Sequence, residues 1–303
     1  MNELLSLFVN ILLPIFLIAG VGILLARFTQ IDPRSISQLF LYVFGPCMIF
    51  SLLTQSEASN LMFGRIVGFS LVFIFLLGLI AWGLGKVMKS DRATRSSMML
   101  AVMFSNAGNY GLPIVLFAFG QPALGFASIY FVVNIILAYT AGTLIASMSS
   151  MDLSRAFINL LKLPLIYAVL LAVLFSNTGW EIPLPLSRAT KLLGDAAIPC
   201  MLILLGMQLK SASLKGKIAP VAWTSALRLV FSPILALALL PLFGLYGPAH
   251  QAVALQTGMP SAVMTTMLAT EFDAEPGFST AAVFLTTMLS PLTLIPLLSW
   301  LGA

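Results

Sequence analysis

Charged residues are scarce in this chain of 303 residues, at 8% of the sequence, whereas soluble domains carry about 25%. Hydrophobic residues make up 60%, so there is too little polar side chain to cover a globule in water. This balance excludes the soluble globular classes and indicates a lipid environment. The net charge of +5 does not point to a nucleic-acid partner, because the basic residues lie in short loops between apolar runs and form no stripe.

Residues that carry common chemistry are also few. The two cysteines and single histidine form no CxxC or Cys/His cluster, which leaves a disulfide framework and a zinc site without support, and no metal is expected. No HExxH, no GxSxG within an apolar run and no paired intramembrane aspartates occur, so no catalytic residue and no enzyme activity are expected. We expect no cofactor.

The N-terminal run MNELLSLFVNILLPIFLIAGVGILLARF lacks the marks of a signal peptide. Its apolar stretch is too long, it has no basic n-region, and no small-residue cleavage site follows. It is therefore predicted to be the first transmembrane helix.

Ten apolar runs approach or exceed the about 20 residues that a spanning helix needs. They are predicted at residues 4–26, 36–54, 64–87, 96–119, 122–148, 157–176, 188–209, 218–243, 248–270 and 276–301. The connecting loops are short and leave no room for a soluble domain. The predicted fold class is an all-α polytopic membrane protein.

The orientation follows from the basic residues, which concentrate on one side of the membrane. That side carries Arg27, Arg34, Lys86, Lys89, Arg92, Arg95, Arg155, Lys162, Lys210, Lys215 and Lys217, which is eleven residues. The other side carries only Arg65, Arg188 and Lys191. The positive-inside rule places the first group in the cytoplasm. We expect a multi-pass protein of the cell (inner) membrane with both termini outside the cytoplasm.

The chain also repeats itself. Four motifs recur in order at offsets of 150, 153, 147 and 154 residues. The pairs are Leu13-Pro14 with Leu163-Pro164, Pro46-Cys47-Met48 with Pro199-Cys200-Met201, Gly111-Leu112-Pro113 with Gly258-Met259-Pro260, and Gln121-Pro122 with Glu275-Pro276. The repeat predicts two five-helix units, 1–150 and 151–303. Because five is odd, the second unit must be inverted, as in many secondary transporters.

The fourth and ninth predicted spans are interrupted near the middle of the membrane. The fourth contains FSNAGNYGLP, whose glycines, asparagines and proline would cost several kcal/mol in a regular helix. Counting about 1.5 Å per residue from Arg95 puts Asn106 roughly 15 Å deep, and Gly258 lies at a similar depth from His250. We therefore expect the two breaks to meet.

The breaks also predict a binding site. Pro113 and Pro260 suit the first position of a new half-helix, and no capping residue stands at the two positions before either. Free N–H groups and positive dipole ends would then favour a small anion or carboxylate. The side chains of Asn106, Asn109, Gln256 and Thr257 could add neutral hydrogen bonds. The alternative is an ordinary proline kink whose backbone is satisfied by neighbouring Ser and Thr side chains.

The stretches FSNAGNYGLPI and QTGMPSAVMTTMLA resemble the auxin efflux carrier family, in its compact bacterial form. The resemblance implies a fold similar to the bile-acid sodium symporters and sodium–proton antiporters, in which spans 4 and 9 cross. Spans 1, 2, 6 and 7 would form a scaffold, and spans 3–5 and 8–10 a transport domain. It implies transport of organic anions, including auxin in plants and malate or malonate-type acids in bacteria. Asn109 and Pro113, with Gly258 and Pro260, would line the site, whereas Gln256-Thr257 replaces an asparagine of the plant pattern.

Three further polar residues lie inside predicted spans, where such residues are often functional. Arg228 is predicted either to attract the anion or to pair with Asp195 in one state of the transport cycle. The alternatives are a permanent structural ion pair, or Asp195 near Arg188 and Lys191 at the outer interface. Asn134 either joins the site or only holds helices together. Neither break contains Asp or Glu, which argues against a carboxylate proton relay. Unwound carbonyls with Asn106 or Gln256 could instead hold sodium.

The leading hypothesis is a secondary carrier of small organic anions that works by alternating access. The first alternative is a sodium-coupled symporter of the bile-acid type, and an alternative from another class is a membrane sensor that transports nothing. The expected partners are the anion and the lipid bilayer, with a homodimer left open.

Overall fold

The structure, a computed structural model, describes residues 2–55, 59–147, 161–210 and 218–303. Within these ranges the chain is helical, and its β-type pairing is limited to one bridge between two residues. Seven helices in this part of the chain are long and apolar enough to cross a membrane. The predicted class, an all-α polytopic membrane protein, is confirmed.

The helices of the first half of the chain are α1 Leu4–Phe28, α2 Pro33–Gln55, α3 Asn60–Val87, α4 Arg92–Met103 and α5 Ala107–Ser147. Those of the second half are α6 Pro164–Thr178, α7 Leu184–Gln208, α8 Ile218–Phe243, α9 Gly247–Thr257, α10 Val263–Glu271 and α11 Pro276–Leu301. The predicted boundary at residues 150 and 151 and the predicted start of the sixth span at residue 157 lie outside the described residues.

Helix α5 is too long for a single crossing. Its 41 residues would extend roughly 60 Å if straight, about twice the hydrocarbon thickness. The helix bends at Gly120, whose backbone has φ 74° and ψ −169°. Since side chains other than glycine rarely adopt such a φ, glycine permits the reversal. The predicted division between the fourth and fifth spans, at residues 119–122, falls at this bend.

Helices α4, α9 and α10 are short because the helical backbone is interrupted after α4 and again between α9 and α10. They contain 12, 11 and 9 residues, too few to cross about 30 Å. The bend divides α5 into a first arm, residues 107–119, and a second arm, residues 121–147. Helix α4 resumes as the first arm of α5, and α9 resumes as α10. The interruptions that the sequence predicts in the fourth and ninth spans are therefore present.

Several helices begin and end on conventional capping residues. Asp32, Ser59 and Asp91 each accept a hydrogen bond from a backbone N–H in the first turn of α2, α3 and α4. Gly179 and Gly244 end α6 and α8 in the left-handed conformation, which satisfies the last carbonyls. These ends lie in the loops outside the apolar spans, and they contrast with the uncapped ends at the interruptions.

Four π-helical turns each end two residues before a proline. The turns are Phe8–Leu12, Phe40–Phe44, Ala107–Gly111 and Leu227–Phe231, and the prolines are Pro14, Pro46, Pro113 and Pro233. Proline lacks an N–H, and its ring collides with the carbonyl one turn earlier in a regular helix. A wider turn gives that carbonyl room, so these helices continue through their prolines.

Helices α1 and α7 pack with their backbones in direct contact. A Cβ atom placed on Gly22 would collide with the carbonyl oxygen of Ile203, and one placed on Gly206 would collide with that of Ala19. Small residues permit such close approach between helices in lipid, where van der Waals packing drives association. Helices α2 and α6 also pack along each other.

Large apolar side chains cover the outside of the helices. Leu17, Phe75, Leu170 and Ile234 are each about half exposed or more. An apolar outer surface of this extent suits lipid rather than water. It agrees with the composition of the chain.

Candidate functional site

The first interruption separates α4 from α5. Helix α4 ends at Met103, Phe104 is extended with φ −105° and ψ 112°, and the chain becomes helical again at Ala107. The second interruption lies between Thr257, the last residue of α9, and Val263, the first of α10.

The two interruptions cross and complete each other's backbone hydrogen bonds. Ser105 and Ser261 form an antiparallel bridge. The Asn106 N–H donates to the Pro260 carbonyl at 2.7 Å, and the Ala262 N–H donates to the Phe104 carbonyl at 2.9 Å. Such pairing satisfies polar backbone that would be costly in hydrocarbon. The prediction that the two breaks meet is confirmed.

Neighbouring side chains support the crossing from two directions. Ser261 donates from Oγ to the Ala101 carbonyl at 2.7 Å, and its N–H donates to Thr286 Oγ1 at 3.1 Å. Asn134 donates from Nδ2 to the Ser105 carbonyl at 3.0 Å. The extended segments are thus held in place by α4, α5 and α11.

The predicted positions of the two prolines are wrong. Pro113 is the seventh residue of its half-helix, which begins at Ala107 and passes the proline by means of a π turn. Pro260 lies in the extended segment, three residues before α10, and its carbonyl accepts a bond from the other segment. The half-helices therefore start at Ala107 and Val263.

Neither of these starts has a side-chain cap. The flanking residues are Asn106 and Ala262, and no side chain accepts a hydrogen bond from either first turn. The first N–H groups of each helix remain without partners inside the helix, and they carry the positive end of its dipole. Two uncapped helix N-termini are thus present, but they lie at Ala107 and Val263 and not at the predicted Pro113 and Pro260.

Both N-termini face one small cavity, which we call the inner cavity. Its volume is about 110 Å³. Its lining includes residues 105, 106, 108 and 109 from the first half-helix start and residues 262–264 from the second. Its polar residues are Ser37, Ser105, Asn106, Asn109, Asn134, Tyr139 and Gln208.

Three side-chain atoms in this lining have no hydrogen-bond partner among the described residues. They are Oγ of Ser105, Nδ2 of Asn106 and Oδ1 of Asn134, and the three residues are only 2%, 5% and 3% exposed. A buried polar atom without a partner costs about 1–3 kcal/mol. The cavity thus offers an unused amide donor, an unused amide acceptor and a free hydroxyl group beside two helix N-termini.

Gln208 belongs to the inner cavity but was missed by the sequence prediction. Asn109 donates from Nδ2 to Gln208 Oε1 at 3.4 Å, which joins the first arm of α5 to the end of α7. The available signal was an amide inside the predicted span 188–209. It lies one residue from the end of that span, where a polar side chain needs no special explanation.

The structure gathers three of the predicted site residues, Asn106, Asn109 and Asn134, around the inner cavity. The other seven are Gly111, Pro113, Gln256, Thr257, Gly258, Pro260 and Arg228, and they lie beside the crossing without lining this cavity. Their contacts give most of them another part in the site.

Gln256 packs against Gly111. A Cβ on Gly111 would collide with Gln256 Oε1, so the glycine makes room for the amide. Gln256 donates weakly from Nε2 to the Ala127 carbonyl at 3.5 Å, while its Oε1 has no partner in the described part of the chain. This pair connects α9 to both arms of α5.

Arg228 joins the C-terminal ends of the two interrupted helices. Its side chain is completely buried. Nε donates to the Met259 carbonyl at 2.9 Å, Nη1 to the Val102 carbonyl at 2.7 Å, and Nη2 to the Thr257 carbonyl. Three of its donors are therefore directed to backbone carbonyls at the crossing.

Arg228 and Asp195 do not pair in this structure, and their pairing in another state of a transport cycle stays a prediction. Asp195 pairs with Lys191 one turn earlier on α7, at 2.9 Å, and both side chains are exposed. The alternative stated from the sequence, that Asp195 reaches the outer interface near Lys191, agrees with this geometry.

We expect Asp195→Asn to change the free energy of unfolding by less than about 1 kcal/mol. Exposed pairs contribute little because water screens them, and a Lys preceding an Asp by four residues is the weaker order on a helix. The side chains are 59% and 62% exposed. Thermal unfolding in detergent measures the effect, with Lys191→Gln as the matched variant. A loss above about 2 kcal/mol in either variant would contradict a solvent-screened pair.

A second, larger cavity of about 700 Å³ opens at the opposite ends of the same helices, and we call it the outer cavity. The inner cavity contacts α2 near its start, at Ser37, whereas the outer cavity contacts α2 from Met48 to Gln55. The outer cavity also includes Gln121 and Lys191. The crossing and the residues packed on it lie between the two.

The apolar helices with two crossed interruptions define a polytopic helical membrane protein, and its inner cavity lies against the crossing. Comparison with protein families identifies the family. The model described as "Membrane transport protein" matches residues 7–156 and 147–298. The chain belongs to this family, which is that of the auxin efflux carriers, as the resemblance predicted.

Three curated proteins are similar over most of their length. An "Uncharacterized transporter" of Methanothermobacter thermautotrophicus is 27% identical, over 87% of this chain and 87% of its own. Another of the same description from Methanocaldococcus jannaschii is 23% identical, over 88% and 89%. A "Putative malonate transporter" of Rhizobium meliloti is 23% identical, over 95% and 94%.

Proposed function

We propose that the protein is a secondary carrier of small organic anions, chiefly carboxylates, in the cell membrane. The anion would bind in the inner cavity. The observation that carries this proposal is that two uncapped helix N-termini meet in one cavity, together with the unpartnered Nδ2 of Asn106.

The charge of the inner cavity favours an anion. Each helix N-terminus is equivalent to roughly half a positive charge, so two supply about one. No carboxylate side chain lies among the described residues that line the cavity. The amides of Asn106 and Asn109 add donors without adding charge. Together these groups match one carboxylate group.

The size of the cavity favours a small cargo. Pockets for drug-sized ligands occupy about 300–1,000 Å³, and the inner cavity has about 110 Å³. Short-chain carboxylates suit such a space. The name of the relative from Rhizobium meliloti makes malonate a natural first candidate.

Alternating access would expose the crossing to each side in turn. We propose that predicted spans 1, 2, 6 and 7 form a scaffold, and that the helices of spans 3–5 and 8–10 move against it. Two pairs of contacts support an inverted repeat of five spans. In such a repeat α1 and α2 correspond to α6 and α7, and the contact between α1 and α7 has its counterpart between α6 and α2. Likewise α4 corresponds to α9, and the contact between α4 and α11 has its counterpart between α9 and the second arm of α5. The two successive matches of one family model support it as well.

The basic loops support an assignment of the two cavities to sides of the membrane. Ser37 and Gln208 lie near the helix ends that adjoin the basic residues Arg34 and Lys210. The inner cavity would therefore face the cytoplasm under the positive-inside rule. The outer cavity and both termini would face the other side.

A binding screen followed by a flux assay tests the proposal. Purified protein is heated with acetate, lactate, malonate, malate or a neutral amide analogue. A carboxylate at about 100 times its dissociation constant should stabilise the folded protein by about 2.7 kcal/mol, and the amide should not. The same carboxylate should then exchange across liposomes. Folded protein that neither binds nor moves any carboxylate would rule out an organic-anion carrier.

A further inference from the structure

We propose that Arg228 is a tethered cation that takes the place of a coupling ion at the crossing, so that the anion moves without sodium. The part of this inference that concerns transport rests on the proposed function. The part that concerns the cation site rests on geometry alone and is tested separately below.

The guanidinium group of Arg228 lies where two helix C-termini converge. Val102 is in the last turn of α4, and Thr257 is the last residue of α9. Carbonyls at such ends lack partners inside their helix and carry the negative end of the dipole, about half a charge each. Arg228 donates to both, and also to the Met259 carbonyl just beyond α9.

The charge of Arg228 has no carboxylate to balance it among the described residues. The ion pair found in that part of the chain is the exposed Lys191–Asp195 pair. A completely buried charge requires compensation, and here the carbonyls supply it. Ser232 also donates from Oγ to the Thr257 carbonyl, at 2.9 Å. Backbone carbonyls therefore form a site that is built for a cation and holds Arg228.

This is the kind of position at which other carriers bind their driving ion. In transporters with discontinuous helices, unwound carbonyls and half-helix C-termini coordinate sodium or a proton. A guanidinium group that satisfies three such carbonyls leaves little for sodium to coordinate. A covalently attached charge also cannot leave with the cargo, so a sodium gradient has no ion to drive.

Arg228 would act as a positioning residue. It links the end of α4 to the end of α9, and their continuations present the two N-termini to the inner cavity. The arginine neutralises the negative charge of the helix C-termini on one side of the crossing. The positive charge of the helix N-termini on the other side is left for the anion. Loss of the cation would thus separate the half-helices and weaken anion binding from a distance.

The test uses Arg228→Ala, which leaves a space the size of guanidinium lined by three carbonyls. We expect carboxylate flux to fall about 100-fold, as when one partner of a buried charged hydrogen bond is removed. Millimolar guanidinium chloride should restore flux and raise the melting temperature of this variant, while sodium chloride should do neither. The melting temperature requires no cargo, so it tests the cation site even if the proposed cargo is wrong. Wild-type flux should be unchanged when choline replaces sodium.

Matched variants keep the inference falsifiable. Arg65 lies near the start of α3 and donates to the Gly244 carbonyl, just after the end of α8. Guanidinium should not stabilise the Arg65→Ala variant. If Arg228→Ala does not fold, Arg228→Lys and Arg228→Met compare a retained charge with a neutral chain of similar length. The lysine variant should keep more stability and flux. The inference that Arg228 replaces a coupling ion would be wrong if the lysine and methionine variants behave equally or if any monovalent cation rescues Arg228→Ala. Sodium dependence of wild-type flux would also contradict it.

Discussion

Asn106→Asp is expected to abolish carboxylate binding while leaving the fold intact. The substitution changes almost no volume, but it places a negative charge at the start of α5, in the lining of the inner cavity. That charge would occupy the field of the two helix N-termini, which is the feature proposed to attract the anion. It would also replace the unpartnered donor Nδ2 by an acceptor.

The expected effect is large because the site is buried. Two like charges about 4 Å apart repel by about 4 kcal/mol at an effective dielectric constant of 20. A loss of about 2.7 kcal/mol already corresponds to 100-fold in affinity. We therefore expect the dissociation constant of any carboxylate ligand to rise at least about 100-fold.

Thermal-shift titration with the best carboxylate from the screen measures the effect. Asn177→Asp is the matched control, because Asn177 is exposed and accepts through Oδ1 from Asn60 at 2.6 Å, a bond that aspartate can keep. The control should bind as the wild type does. Unchanged affinity in a folded Asn106→Asp variant would place the anion elsewhere, for example in the outer cavity.

Gly22→Val is expected to destabilise the protein by roughly 3 kcal/mol or more, at the upper end of the usual cost of overpacking. The added side chain would meet the carbonyl oxygen of Ile203 and lie 3.1 Å from the Cα of Gly206. Both are backbone atoms and cannot rotate away, so α1 and α7 would have to separate. That separation would also remove neighbouring contacts along the two helices.

Gly20→Val provides a control on the same helix. No atom lies within 4 Å of the position of its Cβ, so only the modest helix preference of valine over glycine remains. Its melting temperature should equal or slightly exceed that of the wild type, whereas that of Gly22→Val should fall sharply. Similar behaviour of the two variants would contradict the close backbone contact between α1 and α7.

The sequence allowed much of the fold to be predicted because lipid restricts the choice of structure. Apolar runs of about 20 residues must be helical there, since each backbone polar group needs a partner inside the segment. Interruptions stand out in such runs, and the glycines, asparagines and proline between Phe104 and Pro113 marked the first of them. The depth of the first break, counted from Arg95, matched that of the second, counted from His250. This match was sufficient to predict that the two breaks meet.

The same reasoning failed at the prolines. Pro113 suited the first position of a helix by local preference, but the helix starts six residues earlier and accommodates the ring in a π turn. Whether a helix ends at a proline or passes it depends on the partners available to the freed carbonyls. At the crossing those partners come from residues about 155 positions away, as in the bond from Asn106 to Pro260.

The composition and the apolar periodicity determined by themselves that this is a helical membrane protein with two interrupted helices, because the solvent imposes that pattern on any sequence. Only the tertiary structure decided which polar groups meet. It turned Arg228 from a predicted anion ligand or partner of Asp195 into a cap on three carbonyls, and it brought Gln208 to Asn109. The contacts of Arg228 with Val102 and of Asn109 with Gln208 join residues 126 and 99 positions apart. Their partners are set by how the helices cross rather than by any local pattern.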